Sequence, residues 1–507
     1  MKIKLRHFLL VLVILVISLA CQLTAPTPVM WEATATALIR AETNVVVLAT
    51  QRAIDAENAD LLPTSTSAVS QPTKTPTPEI ITDGPWLVYP APDGSGIHAF
   101  DLDSHEILIL NLPEPIYTAD LMRGLSPDRE TLVVRAGSPE NFDELALYQI
   151  NLPSLEVAKI SPLLSLDIQR DIVNEESSRA LETLQVVTDP NGIAWSPNGR
   201  FLAFNAALDN ESSDLYVWDT LNQRVERLNG LSTQNASLFW SPSSGWLISQ
   251  ELGNFNPESG WRSENVIGLQ VPGFISQNSI YLPELNSSGE VFVGWLAAQI
   301  FISYSTTSAG DTFLRQVDLE IWENSLIFDG LFEQISFDPK SQSIALILNE
   351  EQAARKGLAA GVYVLIPENS YFVLQRAGNW QKLSWDPGGR FVASNSQGLV
   401  AFEPAGENLF LSGEADALIS PDGYWMVAWG DGENSNKGLR LYQPDSDRAL
   451  QMITAEQVGN VIWTQNSKSF FLFSEGKLYQ AAFPSLSLVE IESGFNQQEL
   501  TPFIWMN

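Results

Sequence analysis

From residue 84 to the end of the 507-residue chain, apolar residues come in short runs separated by Gly, Pro, Asp, Asn and Ser. Phe201-Leu202-Ala203-Phe204, Leu215-Tyr216-Val217-Trp218, Gly361-Val362-Tyr363-Val364-Leu365 and Leu439-Arg440-Leu441-Tyr442 are examples. Short runs rich in aromatic and β-branched residues, bounded by turn formers, predict strands. One phrase punctuates them: a large apolar residue, Ser or Asp, Pro, then Asp, Asn or Gly. It occurs as Leu125-Ser126-Pro127-Asp128, Trp195-Ser196-Pro197-Asn198-Gly199 and Trp240-Ser241-Pro242. It returns as Phe337-Asp338-Pro339, Trp385-Asp386-Pro387-Gly388-Gly389 and Ile419-Ser420-Pro421-Asp422-Gly423, with looser copies at Trp295 and Trp463-Thr464-Gln465-Asn466. Pro presets φ at the second position of a tight turn, and Asp, Asn or Gly accepts the positions after it. The residue ahead of the turn ends a strand and is placed for burial.

These anchors, at 125, 195, 240, 295, 337, 385, 419 and 463, are 70, 45, 55, 42, 48, 34 and 44 residues apart. Further strands follow each anchor. Four strands at a period of about 40–45 residues predict propeller blades. The long first gap holds an insertion, about 164–190, with helical character from Asp167 to Val187. Trp86-Leu87-Val88-Tyr89, Ile97-His98-Ala99-Phe100 and Ile107-Leu108-Ile109-Leu110 are three strands with no first strand before them. Pro502-Phe503-Ile504-Trp505 reads as a lone first strand, and joining the two ends in one sheet removes an exposed edge. The expectation is all-β: a single propeller of eight or nine four-stranded blades over 84–507. The Ser-Pro-Asp-Gly turn resembles that of the TolB-type branch of WD-repeat-like propellers, over about 420 residues. That resemblance implies the fold and says little of function.

The N-terminal pattern is different. Lys2, Lys4 and Arg6 precede an apolar run from Phe8 to Ile17, and Ser18-Leu19-Ala20-Cys21 follows. This order predicts a signal peptide over 1–20, with a run too short to span a bilayer comfortably. Ala20-Cys21 resembles the end of a bacterial lipobox, although Ser18 and Leu19 stand where the family usually has Leu and a small residue. The resemblance implies that Cys21 is lipidated and that the chain is exported and held on the cell membrane or outer membrane. Residues 21–28 then form a tether. Residues 29–60 lack Pro and Gly and carry an apolar stripe through Trp31, Leu38 and Val45, predicting a helical spacer able to pair with another copy. Residues 61–83, with Pro-Thr-Lys-Thr-Pro-Thr-Pro, predict a solvated, disordered linker.

Composition narrows the function. Twenty-eight Lys and Arg against 60 Asp and Glu give a formal charge of −32, opposite to a nucleic-acid footprint. A single Cys excludes a disulfide framework. Beyond the leader the chain has only His98 and His105, read as one edge-strand and one turn histidine. His105-Glu106 begins like a zinc-protease motif, but Ile109 occupies the second ligand position. There is no Gly-x-Ser-x-Gly elbow and no phosphate-cradling loop. The acidic stretches 209–214 and 431–434 lack the EF-hand spacing. No catalytic residue, metal ligand or cofactor is therefore assigned. The anchor tryptophans are expected in the core between blades. Trp261, in a Gly/Asn/Ser-rich stretch 253–265 read as a long loop, and Trp322 lie off the pattern and are the binding candidates, beside the insertion. The resulting expectation is a non-catalytic module binding an envelope protein or glycan. Its rival is a carbohydrate-active hydrolase or lyase using carboxylates at the channel.

Overall fold

The computed structural model describes residues 85–506, apart from 142–143, 152–153, 155, 175–177, 209–211, 229–233, 257–259, 271–278, 282–289, 307–311, 322, 370, 386–390, 403–408, 431–437, 444–448, 455–457, 484 and 496–503. The expected signal peptide, Cys21, tether, helical spacer and linker fall outside these residues, as does Trp322.

Among the described residues the strands form nine antiparallel sheets, eight of four strands and one of three. Taken in chain order they are blades 1 to 9 of a β-propeller. Blade 1 contains both ends of the domain: Ile504–Met506 pairs with Trp86–Pro90, setting Trp505 opposite Leu87. Eight or nine blades were expected, and the looser anchors Trp295 and Trp463 prove to end true first strands, Val291–Trp295 and Val458–Trp463.

The second strands are buried along their whole length, as in Phe201–Ala206, Ser343–Leu348 and Ser469–Ser474. Each blade has another blade against both faces, so these strands read as continuous apolar runs and not as an in–out alternation. First strands pack on each other between blades 3 and 4, 5 and 6, and 6 and 7, as expected of the innermost strands of a propeller.

The anchors weld the blades together. The indole N–H of Trp240 donates to Ala194 O (2.9 Å), that of Trp295 to Phe239 O (3.3 Å) and that of Trp463 to Leu418 O (3.2 Å). Trp195 donates to Gly124 O (2.6 Å) and Trp505 to Trp463 O (2.7 Å). Each bond reaches the first strand of the preceding blade, which explains why Trp recurs where Phe or Leu would fill similar space.

The turns after the anchors share one network. Ser196 Oγ donates to Asn198 Oδ1 (2.8 Å) and accepts from Phe201 N–H (2.9 Å); Ser420 Oγ repeats this with Asp422 (2.6 Å) and Trp425 N–H (3.0 Å). The fourth turn residue is left-handed, with φ of 71° at Gly199 and 76° at Gly423, where glycine lacks the Cβ penalty. Ser244, Gln342 and Ser467 hold the same conformation at φ of 58°, 53° and 57°. Each of the three reaches the preceding blade: Ser244 Oγ accepts from Asn198 N–H, Ser467 Oγ accepts from Asp422 N–H, and Gln342 Nε2 donates to Leu296 O. In these three copies backbone ease is exchanged for a contact between blades.

Three expectations are corrected, and the helical insertion is found as expected. Blade 2 has three strands, not four, because its first strand is interrupted by helix α1 (Asp120–Arg123). Isolated bridges Ile116↔Ala136 and Leu125↔Leu132 mark the strand on either side of α1. The insertion holds two helices, α2 (Leu166–Val173) and α3 (Ser178–Val187), which bury Ile168, Ile172, Ala180 and Val187 against Ile193, Leu202 and Phe204. The stretch 253–265 is not a loop: Trp246–Asn256 and Gly260–Gln270 are the arms of a long hairpin, with Trp261 opposite Phe255. Cross-strand pairing overrides the weak strand propensity of its Gly and Asn residues. His98 lies on Gly96–Asp101, inside blade 1 between two strands, not on an edge.

One buried acid makes a pH-dependent contribution. Glu290, directly before Val291–Trp295, is inaccessible to solvent. Burial raises its pKa, and hydrogen bonds from Ser303 and Ser305 and the charge of Arg315 only partly counter this. A folded pKa above the unfolded value of about 4.3 means stability is complete below that pH and is lost as pH rises through the folded value. Glu290→Gln is therefore expected to raise the melting temperature at pH 7, with the gain shrinking toward pH 4. A variant that melts lower than the parent at pH 7 would show that the ionised form is the stabilising one.

Candidate ligand-binding site at the channel

The interruption of blade 2 shapes the channel. Asp120, at the start of α1, is fully buried and clamps fully buried Arg135: Oδ2 accepts from Nε (2.9 Å) and from the Arg135 backbone N–H (2.8 Å), and Oδ1 accepts from Nη2 (2.5 Å). Arg135 also donates to Val187 O (2.5 Å) and Asp189 O (2.8 Å), tying α1 to the end of α3. After α1 the chain returns to the sheet at Gly124, where a Cβ would lie 1.7 Å from Val133 O. Only glycine fits this approach.

Arg123, the last residue of α1, is thereby carried across to blades 3 and 4. Its Nε donates to Ile193 O (3.0 Å), Nη1 to Asn191 Oδ1 (2.7 Å) and Nη2 to Leu238 O (2.5 Å). The guanidinium sits 5.3 Å from the centroid of the Phe239 ring. These partners are neutral, and among the described residues no carboxylate lies within ion-pair distance. Burial lowers the Arg123 pKa, opposed by the charge of Asp189.

Arg123 borders a cavity of about 590 Å³ that runs along the first strands of blades 3 to 6. Its walls carry Trp195, Phe239, Phe292 and Phe337, and Pro197, Pro242 and Pro339 from the anchor turns of blades 3, 4 and 6 also line it. Phe239 and Phe292 stack at 4.4 Å. Phe337 lies over Gly294, where a Cβ would come within 2.2 Å of the ring, so the ring position requires glycine beneath it. These prolines stand two residues after their anchors, and Arg123 stands two before Leu125. The prolines thus mark the turn end of the cavity, and Arg123 lies toward the other end of the first strands. The helical insertion precedes a first strand and lies at the other end of it.

The first strands of blades 6 to 9 carry polar residues at one register. Gln334, Lys382, Asp416 and Asn460 each stand three residues before the anchor of blades 6 to 9. Asp416 is exposed to solvent on one side and crowded by protein on the others. This crowding raises its pKa, opposed by the Ala417 N–H bond (2.8 Å) and the charge of Lys382. A third polar group lies at the seam of blades 9 and 1. Glu492 accepts from Tyr89 Oη (2.8 Å) and contacts His98 Nδ1 (3.0 Å). Burial, then the Glu492 charge, raises the Tyr89 pKa and keeps the phenol protonated. His105 is an exposed turn residue with φ of 62°.

Trp261 stands on the blade 4 hairpin, away from the anchor turns in the chain, while Cys21, Trp322 and the acidic stretch 431–434 lie outside the described residues. In the other acidic stretch, Asp214 pairs with Arg227 (2.5 Å). Among the described residues no three potential metal ligands converge. Arg123 is the residue that sequence reading missed; its signal is the unalternating Tyr117-Thr118-Ala119-Asp120-Leu121-Met122-Arg123-Gly124 before an anchor turn.

No protein-family model matches the chain. Nor does any curated protein sequence. Solved structures do resemble it. The crystal structure of a eukaryotic initiation factor aligns with TM-score 0.53 at 11% identity, covering 83% of this chain and 98% of that one. Dipeptidyl peptidase 4 of Porphyromonas gingivalis aligns with TM-score 0.45 at 12% identity, covering 76% and 64%. TolB from Acinetobacter baumannii aligns with TM-score 0.28 at 13% identity, covering 58% and 64%. At these identities the likeness is one of fold.

Proposed function

We propose that this chain is an exported, lipid-anchored lipoprotein whose propeller is a non-catalytic binding or scaffold module in the cell envelope. Cys21 carries the acyl chains, residues 29–60 and 61–83 hold the propeller away from the membrane, and an envelope protein or glycan docks on the turn face. The observation that carries the binding reading is the aromatic cavity whose turn end lies there, with Trp195, Phe239, Phe292 and Phe337 on its walls. Aromatic surface in a concave site supplies contact energy at low entropic cost.

The test is crosslinking in intact envelopes followed by mass spectrometry, with the parent chain and a Phe292→Ala variant side by side. A dominant partner recovered with the parent and reduced at least tenfold with the variant supports the reading; equal recovery overturns the assignment to this face. Cys21→Ser is expected to abolish acyl labelling and release the chain from the membrane fraction, and unchanged fractionation would remove the anchor from the proposal.

Asp416 favours a second reading. A carboxyl with a raised pKa on a first strand is suited to general-acid chemistry in a glycan-cleaving hydrolase or lyase. Turnover of an envelope glycan that is lost in Asp416→Asn would establish it in place of the first.

A further inference from the structure

We infer that the channel cavity is a site for a small acid with a flat aromatic or apolar body, its carboxylate seated on Arg123. The inference goes beyond a macromolecular partner on the turn face, and it depends on neither the lipid anchor nor that partner.

Three observations combine. The first is size: about 590 Å³ lies within the range of small-molecule sites, roughly 300–1,000 Å³. The second is the lining. Trp, Phe, Val and Pro side chains dominate it, so a ligand rich in hydroxyl groups would find few partners for them there. A flat apolar body needs none and packs against the aromatic wall formed by Trp195, Phe239, Phe292 and Phe337. The third is charge. Arg123 spends three N–H bonds on Ile193 O, Asn191 Oδ1 and Leu238 O, which leaves two of the five guanidinium hydrogens. Its fixed partners carry no formal charge. Asp189 acts on it from beyond ion-pair distance, and Arg135 is already paired with Asp120. Guanidinium–carboxylate bonds are among the strongest polar contacts because both partners are charged. The overall charge of −32 does not oppose this at close range, since exposed charges are screened beyond ~8 Å at physiological ionic strength.

Calorimetry on the full chain with naphthalene-2-acetate and its neutral isostere naphthalene-2-acetamide tests the inference without a variant. The acid is expected to bind at least tenfold more tightly, with the difference shrinking as salt is raised. In Arg123→Gln, which keeps a donor for the strand carbonyls, the two probes are expected to bind equally. Equal binding of acid and amide to the parent chain would leave an apolar cavity and overturn the carboxylate seat. Binding of neither at millimolar concentration would overturn the small-molecule site altogether, with the macromolecular reading untouched. If Arg123→Gln fails to fold, the comparison of probes on the parent chain still decides.

Discussion

Asp120→Ala is expected to cost ~3–5 kcal/mol of stability, because it leaves the buried guanidinium of Arg135 without its counter-charge. Both side chains are inaccessible to solvent, and Asp120 accepts three bonds from Arg135. Water cannot replace the lost oxygens. Asp120→Asn keeps the shape but removes the charge and one acceptor, so it is expected to fall between the parent and the Ala variant. The double replacement Asp120→Leu with Arg135→Met removes both charges together. Its loss is expected to be smaller than that of Asp120→Ala, although Val187 O and Asp189 O then lose their donor. Urea denaturation followed by tryptophan fluorescence gives the ordering. A double variant less stable than Asp120→Ala would mean that the pair, and not merely the absence of an orphan charge, holds blade 2. Because α1 carries Arg123, the single variant is also expected to lower the affinity of the channel for acids before the domain unfolds.

The repeat was legible because it is written locally. Each anchor, such as Trp240-Ser241-Pro242, holds within a few residues the buried ring, the hydroxyl for the turn and the proline. The period, the insertion and the closing strand at Trp505 follow from these. Blade 2 was not legible, because Asp120 is fixed by Arg135, fifteen positions away and on another strand. Nothing in Asp120-Leu121-Met122-Arg123 marks a helical turn inside a strand until its partner is known. The hairpin around Trp261 was misread for a related reason: its glycines and asparagines suit a loop, and its pairing crosses two register shifts visible only in three dimensions, between Glu251 and Leu252 and between Leu252 and Phe255. The cavity is further still from local pattern. Arg123, Trp195, Phe239, Phe292 and Phe337 belong to five blades and meet only because the ring brings successive first strands together. What the sequence signalled as core, the recurring aromatic at the end of each first strand, is both core and wall.

Closure predicts the other large effect. Trp505→Ala is expected to cost ~3–5 kcal/mol from lost packing, as for other large buried aromatics, and Trp505→Phe ~1 kcal/mol, the value of a typical hydrogen bond. The ring of Trp505 packs edge-on against Phe471 at 5.4 Å, and its N–H bonds Trp463 O. An internal anchor such as Trp240 joins blades that are also joined by the chain. At the seam, Ile504–Met506 and Trp86–Pro90 are held by the sheet, by packing and by the Glu492 contacts to Tyr89 and His98, with hundreds of residues of chain between them. Loss of Trp505 therefore acts on a joint with no covalent backup, whereas loss of Trp240 acts on one that the backbone keeps closed. Hydrogen exchange should reveal the difference: in Trp505→Ala the amides of 86–89 lose protection ahead of the other blades, and the freed edge promotes association. In Trp240→Ala protection should fall with the global stability and show no early opening of blade 4. If both variants open in the same way, closure of the ring rests on the collective packing of all nine blades and not on the seam.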